Sequence, residues 1–297
     1  HLIRERYPTF TDAVDDLDDA LSMVALFAQL PKQVTDQGND VMKPLERQRA
    51  DMARSCFALI RQWEAWVMKA GALRKSFISI KGIYYQAEVN GRPVTWLAPL
   101  DFAPIIPNDV DFRVMSTFLE FYQTLLKFVS YRLFAMVGWT CPLPVESLEC
   151  LQAGAERPVL LSELPGAEAH NPVGLLQGSR VFLSREVPRK ALAFMCQSLG
   201  CEAVGWASLE EASPIQEQDP TITHQIVDRP GLSLLIPGRV YVQPQWLFDS
   251  VNAGKLLDPV DYKIGATLPD HLSPFVTSDP EDQIQQPQQP TETEELV

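Results

Sequence analysis

Between Thr221 and Gly254 the chain carries two short apolar runs followed by an amphipathic helix, and this stretch limits the fold more than any other. Ile222–Val227 alternates like a strand, and Arg239-Val240-Tyr241-Val242 reads as a second one. Pro244 falls where a first helical residue belongs, with its φ fixed and no amide hydrogen left unpaired. Trp246, Leu247, Ser250 and Val251 then share one helical face, and Gly254 supplies the stop. A strand feeding directly into a helix with a large inward aromatic must pack on a sheet, so Trp246 reads as core.

The residues before this stretch repeat the pattern. Arg180–Ser184 is a strand, and Pro188 opens a helix with Leu192, Phe194, Met195 and Leu199 inward. Gly200 ends that helix, and Ala203–Trp206 is the next strand. The order strand, helix, strand, strand, loop, strand, helix implies a small parallel sheet covered on both faces. Asp258–Phe275 follows as an ordered extension with Tyr262, Leu268 and Phe275 packing back, and from Thr277 the Gln/Pro/Glu-rich tail reads as disordered.

The first half has a different rhythm. Tyr7–Phe10 is an extended lead-in and Thr11 an N-cap for a helix to Leu30, with Val14, Leu17, Leu21, Val24 and Ala28 on one face. Asp12, Asp15, Asp16, Asp18 and Asp19 crowd its start, where carboxylates favour the positive end of the helix dipole. They lack the glycine turn and distal glutamate of a calcium loop, so no metal site is assigned. Leu45–Ala70 is a second helix with Arg47, Arg49, Arg54 and Arg61 outward. Ser76–Glu88 and Val94–Leu97 form a β-hairpin about Asn90-Gly91. Arg74, Lys75, Lys81 and Arg92 surround Tyr84 and Tyr85 there; bases interleaved with aromatics can hold a phosphate backbone and stack a base, and half-buried tyrosines on a docked hairpin would look the same. Asp109–Met136 is a long helix striped by Phe112, Met115, Leu119, Tyr122, Leu126, Val129 and Leu133 and widened by Phe118, Phe121, Leu125, Phe128 and Phe134. Such a helix is either central or covered by a partner. Residues 140–173, rich in Pro, Gly, Ala and Glu, read as a linker. The domains are therefore 1–139, an α+β unit, mainly helical with a β-hairpin, and 174–276, an α/β unit with a parallel four-stranded sheet, followed by an acidic tail over 277–297.

Charge and cysteine narrow the function. The net charge is −13, of which Asp279, Glu281, Asp282, Glu292, Glu294 and Glu295 in the tail carry six. The remainder is still mildly acidic, so any RNA contact requires a local basic patch rather than an overall field. The cysteines number five, without a CxxC, as expected for reduced thiols inside a cell. No apolar run is free of charge long enough to span a membrane. The sequence begins at His1, without a methionine, and reads as part of a longer chain. GxSxG, Walker A and GxGxxG motifs are missing, and His224 inside a strand reads as a core or edge histidine.

Several runs resemble the Pescadillo family, whose members carry a BRCT module. They are RERYPTF (Arg4–Phe10), DLDDALS (Asp16–Ser22), FISIKGIYYQAEV (Phe77–Val89), VDFRVMSTFLEFYQTLL (Val110–Leu126), FLSREVPR (Phe182–Arg189), ITHQIVDRP (Ile222–Pro230), YVQPQW (Tyr241–Trp246) and LPDHLSPF (Leu268–Phe275). The resemblance implies an α/β BRCT unit in which Trp246 locks the last helix to the sheet. It also implies a non-enzymatic scaffold with no cofactor and no metal. Its expected partners are two WD-repeat assembly proteins, one of the block-of-proliferation type, in a PeBoW complex. Pre-ribosomal RNA and large-subunit precursor particles are expected too, in the nucleolus and nucleoplasm and with no membrane. The resemblance also implies a basic segment ahead of the RERYPTF run and a lysine-rich C-terminal coil, and neither lies within residues 1–297. The hairpin residues Arg74, Lys75, Lys81, Tyr84, Tyr85 and Arg92 are the candidate RNA contacts.

BRCT modules that read phosphopeptides use a Ser or Thr at the end of the first strand, then Gly, and a base near the second helix. Ser184 fits the first position, Arg185 replaces the Gly, and Arg229 or Arg239 could supply the charge. The two readings are docking without phosphate and a phosphopeptide-reading adaptor in DNA-damage or cell-cycle signalling; the lysine-x-Asp-Gly nucleophile motif of BRCT-bearing DNA ligases is missing.

Overall fold

Three short helices open the chain: Leu2–Arg6 (α1), Phe10–Asp15 (α2) and Leu17–Ala28 (α3). The computed structural model describes residues 1–29, 43–100, 112–143, 158–164, 174–208, 213–229 and 235–275. Where the sequence predicts one helix capped by Thr11, the cap is Thr9. Its hydroxyl accepts the Asp12 amide at 3.2 Å while the Asp12 carboxylate accepts the Thr9 amide at 3.0 Å, a reciprocal capping box. The helix breaks at Asp16, whose carboxylate takes the Tyr7 hydroxyl at 2.6 Å. Behind these come two long helices, Lys43–Ala70 (α4) and Phe112–Met136 (α5), and α3 packs against both.

The expected hairpin is a three-stranded antiparallel meander, Leu73–Ser79 (β1), Gly82–Val89 (β2) and Arg92–Ala98 (β3). The Asn90-Gly91 turn forms as predicted, both residues at positive φ (50° and 79°). A second turn divides the single strand predicted over Ser76–Glu88. It needs Gly82, because φ is 147° there and a Cβ would stand 2.4 Å from the Ala98 carbonyl oxygen.

The second unit contains Arg180–Leu183 (β4), Arg189–Ser198 (α6), Ala203–Trp206 (β5), His224–Ile226 (β6), Val240–Val242 (β7) and Gln245–Ala253 (α7). All four strands are parallel, in the order β5-β4-β6-β7, which is the predicted α/β architecture. Val181, Leu183, Ile226 and Val242 face α6 and α7, and Trp246 is fully buried with its indole N–H on the Leu257 carbonyl at 2.9 Å. On the opposite face Phe182 meets Ile215 and Ile222, so a loop covers the described part of that side. Of the segment expected as a reduced second helix, Gly231–Gly238, residues 231–234 lie outside the described residues and 235–238 form a loop and turn.

The two units share one hydrophobic core. The Phe194 ring of α6 stands edge-on to Tyr85 of β2 at 5.1 Å and to Trp96 of β3 at 6.4 Å, and Trp96 stands edge-on to Trp63 of α4 at 5.4 Å. The sequence predicts one inward face for α6; every residue from Leu192 to Leu199 is buried, because the sheet lies on one side and the first unit on the other. Residues 158–164, inside the stretch expected to bridge the units, join this core through Val159, Leu160, Leu161 and Leu164. The Gln197 side chain reads their backbone as another strand would, donating to the Val159 carbonyl at 2.6 Å and accepting the Leu161 amide at 2.7 Å. Of the arginines placed outward on α4, Arg61 is buried and pairs with Glu64 at 2.9 Å, while the side chains of Arg47 and Arg49 lie outside the described residues.

Candidate RNA and partner interfaces

The meander's bases and tyrosines do not gather on one open face. Arg74 pairs with Glu88 across the β1–β2 ladder at 3.2 Å, and Arg92 pairs with Asp15 of α2 at 3.5 Å. Lys75 donates to the Pro274 carbonyl at 3.1 Å, and the Phe275 ring lies 6.3 Å from that of Tyr84. Tyr85 is 2% exposed and belongs to the shared core, so it cannot stack on a base. Only Lys81, beside the 91%-exposed Ile80, projects freely at the tip. The expected basic–aromatic site is thus corrected: strand alternation points Tyr84 and Tyr85 to opposite faces, and ion pairs already engage the two arginines.

The cause is edge protection. A sheet edge offers unpaired amides, and both edges of this meander are met by side-chain acceptors. On β3, the Thr95 amide donates to Asp18 at 2.9 Å and the Leu97 amide to Ser22 at 3.1 Å, one helical turn apart on α3. On β1, the Ser76 amide donates to the Asn252 side-chain oxygen at 2.9 Å, and the Asn252 amide group returns a bond to the Ser76 carbonyl at 2.9 Å. The next outward amide, Ile78, donates to His271 Nε2 at 3.3 Å, and the His271 ring stacks on Phe77 at 4.7 Å. The acidic cluster at the start of the chain is therefore structural. Asp12 caps, Asp15 pairs, Asp16 holds Tyr7, and Asp18 ends the sheet at the cost of burial that raises its pKa. Burial and the Asp16 bond push the Tyr7 hydroxyl up to about 12.

On the face of the parallel sheet that carries Phe182, a polar chain runs from Ser184, just past the carboxyl end of β4, through Gln225 of β6 to Arg239, just before β7. Ser184 is buried, and its hydroxyl accepts the Gln225 amide group at 3.1 Å. The Gln225 oxygen accepts Arg239 at 2.7 Å, and Arg239, 8% exposed, also donates to the Glu217 and Asp219 carbonyls at 2.8 and 3.0 Å. Arg239 therefore holds the 217–219 loop against the sheet and is not available to a ligand, a second correction. Arg229 stands 3.9 Å from Glu186, and Arg185 is exposed at the mouth of a 320 Å³ cavity that Trp206, Ile215 and Glu217 also line.

The described thiols are held protonated by burial. Cys56 is pushed up to about 11, Cys201 up to about 12, and Cys196 well above the ordinary range. Among the described residues no group of His, Cys, Asp and Glu could hold a metal ion, and no helix is long and apolar enough to cross a membrane.

Fold and sites together define a class: a two-lobed chain, one lobe helical with an antiparallel meander and the other a parallel α/β unit, whose polar groups mostly bind one another and so build shape. Residues 1–166 match the family model described as Pescadillo N-terminus, and the chain belongs to the Pescadillo family. It is 36% identical to a Pescadillo homolog of Schizosaccharomyces pombe, aligned over 93% of this chain and 56% of that protein. It is 38% identical to Pescadillo homologs of Arabidopsis thaliana, over 94% and 55%, and of Oryza sativa subsp. japonica, over 95% and 55%. The chain spans about half the length of the curated relatives it matches. The alignment with the first runs to 351 positions, more than this chain has residues, so that relative carries extra residues between matched runs.

Proposed function

We propose that this chain is a non-catalytic scaffold of ribosome biogenesis, acting in pre-ribosomal RNA processing and maturation of the large subunit. The observation that carries the reading, beside family membership, is the single core running through both lobes. A scaffold lowers the ordering cost of assembly only if its surfaces are held in fixed relation, and α6, buried on every side, fixes them. The partners in this reading are two WD-repeat assembly proteins in a PeBoW-type complex, with the α/β lobe serving as a BRCT module, and precursor RNA. The setting is the nucleolus and nucleoplasm. Ser184 and Arg239, each engaged with Gln225, favour docking of a folded surface over reading of a phosphate.

The test is depletion of the protein from cells followed by re-expression. Loss of mature large-subunit RNA with accumulation of its precursors, and co-sedimentation of the tagged protein with large-subunit precursor particles, is the expected result. Normal precursor processing after depletion overturns the proposal.

A further inference from the structure

The outer face of α5 carries exposed aromatics and cations that neither lobe uses. Phe118, Phe128 and Tyr131 are 54%, 48% and 68% exposed, although their helix sends Leu119, Leu126, Val129 and Leu133 into the core. Lys127 and Arg132 are exposed beside them, and among the described residues no carboxylate pairs with either. Residues 127 and 131, 128 and 131, and 128 and 132 are i,i+3 or i,i+4 neighbours, so the four side chains form a chain of adjacent positions along one side of the helix. About two to three turns earlier on the same helix the Arg6 guanidinium lies 5.5 Å from the Phe121 ring centroid, but it is already paired with Asp16 at 3.6 Å and is not counted in the cluster. Lys127 and Arg132 thus differ from the arginines of the meander, which are tied up in ion pairs.

Exposed rings of this size are costly in water unless something covers them, and the flanking charge selects what does. A core-like protein groove would leave Lys127 and Arg132 facing apolar surface unpaired. A single-stranded polyanion satisfies both features, since cations take phosphates and sequence-tolerant ring faces take bases. We infer that the α5 face, centred on Lys127, Phe128, Tyr131 and Arg132, binds single-stranded RNA. This rests on the ribosome-assembly reading and moves its RNA contact from the β-meander to α5.

The measurement is fluorescence anisotropy of the whole chain with a labelled oligouridine 20-mer, over a series of salt concentrations, with an RNA duplex as competitor. Phe128→Ala/Tyr131→Ala weakens binding by about ten-fold or more, with the salt dependence unchanged. Lys127→Glu/Arg132→Glu weakens it and lowers the slope of log affinity against log salt by about 1.4, the value for two lost single-strand phosphate contacts. Lys81→Glu, at the meander tip, leaves affinity within two-fold. All these positions are exposed, and circular dichroism melts of the variants that match the parent exclude misfolding as the cause. If Lys81→Glu abolishes binding while the α5 variants retain it, the α5 assignment is overturned and an RNA role survives. If the parent chain binds no RNA, the RNA part of the assembly reading falls as well. If light scattering shows a dimer that Phe128→Glu dissociates, the face is a contact between copies and the inference is wrong.

Discussion

His224 stacks on the indole of Trp246 with ring centroids 5.1 Å apart, and its Nδ1 lies 2.8 Å from the Thr223 hydroxyl. Burial lowers its pKa from the ordinary 6.5, so the folded chain holds it neutral. The unfolded chain takes up the proton first, so the stability this site contributes is complete above pH 6.5 and is lost as pH falls through the lower folded value. Urea midpoints are therefore expected to drop between pH 7.5 and pH 5.5, and His224→Gln to flatten that dependence; an unchanged slope in the variant contradicts the assignment. Trp246→Ala removes a fully buried indole and is expected to cost about 3–5 kcal/mol in the same melts. Asp18 gives a sharper contrast. Its side chain accepts the Thr95 amide while burial raises its pKa. Asp18→Asn keeps the acceptor and removes the buried charge, so it is expected to be neutral or mildly stabilising. Asp18→Ala leaves the amide unpaired and is expected to cost about 1–3 kcal/mol. Equal melts for the two variants would show that the bond contributes nothing.

Among the elements, the strands and helices with a strong period were legible in the sequence, and so was the Asn90-Gly91 turn. The parallel order of the second unit followed from alternation of short strands and helices. What was not legible depends on tertiary partners. The Ser79–Gly82 turn has no Asn-Gly signature, and Gly82 is demanded by β3 passing above it. The basic–aromatic pattern about Tyr84 and Tyr85 was real in one dimension, but Asp15, Glu88 and the Pro274 carbonyl, distant in sequence or on the neighbouring strand, already engage its cations. Asn252 and His271 gave no local signal at all, because the amides they meet lie 176 and 193 residues earlier in the chain. Asn252→Ala is expected to destabilise by about 1–3 kcal/mol, as the Ser76 amide and carbonyl lose their partner together. Amide exchange at Ser76 and Ile78 should accelerate in that variant while the paired amides of β2 stay protected; uniform acceleration would mean that Asn252 acts on global stability only.

At the scale of the whole molecule, a shared core makes the lobes one cooperative unit, and the proposed scaffold role needs that. Phe194 is an apolar side chain that spans them, touching Tyr85 and Trp96 from α6, while Asn252 and His271 cross at the β1 edge. Phe194→Ala is expected to separate a single unfolding transition into two. The most direct measurement on the parent chain is hydrogen exchange followed by mass spectrometry across a urea series, comparing peptides from α4 with peptides from β4 and α6. The account predicts that both sets lose protection at one urea concentration. Loss from one lobe while the other stays folded would contradict it, and would leave two modules joined by a chain in place of a rigid scaffold.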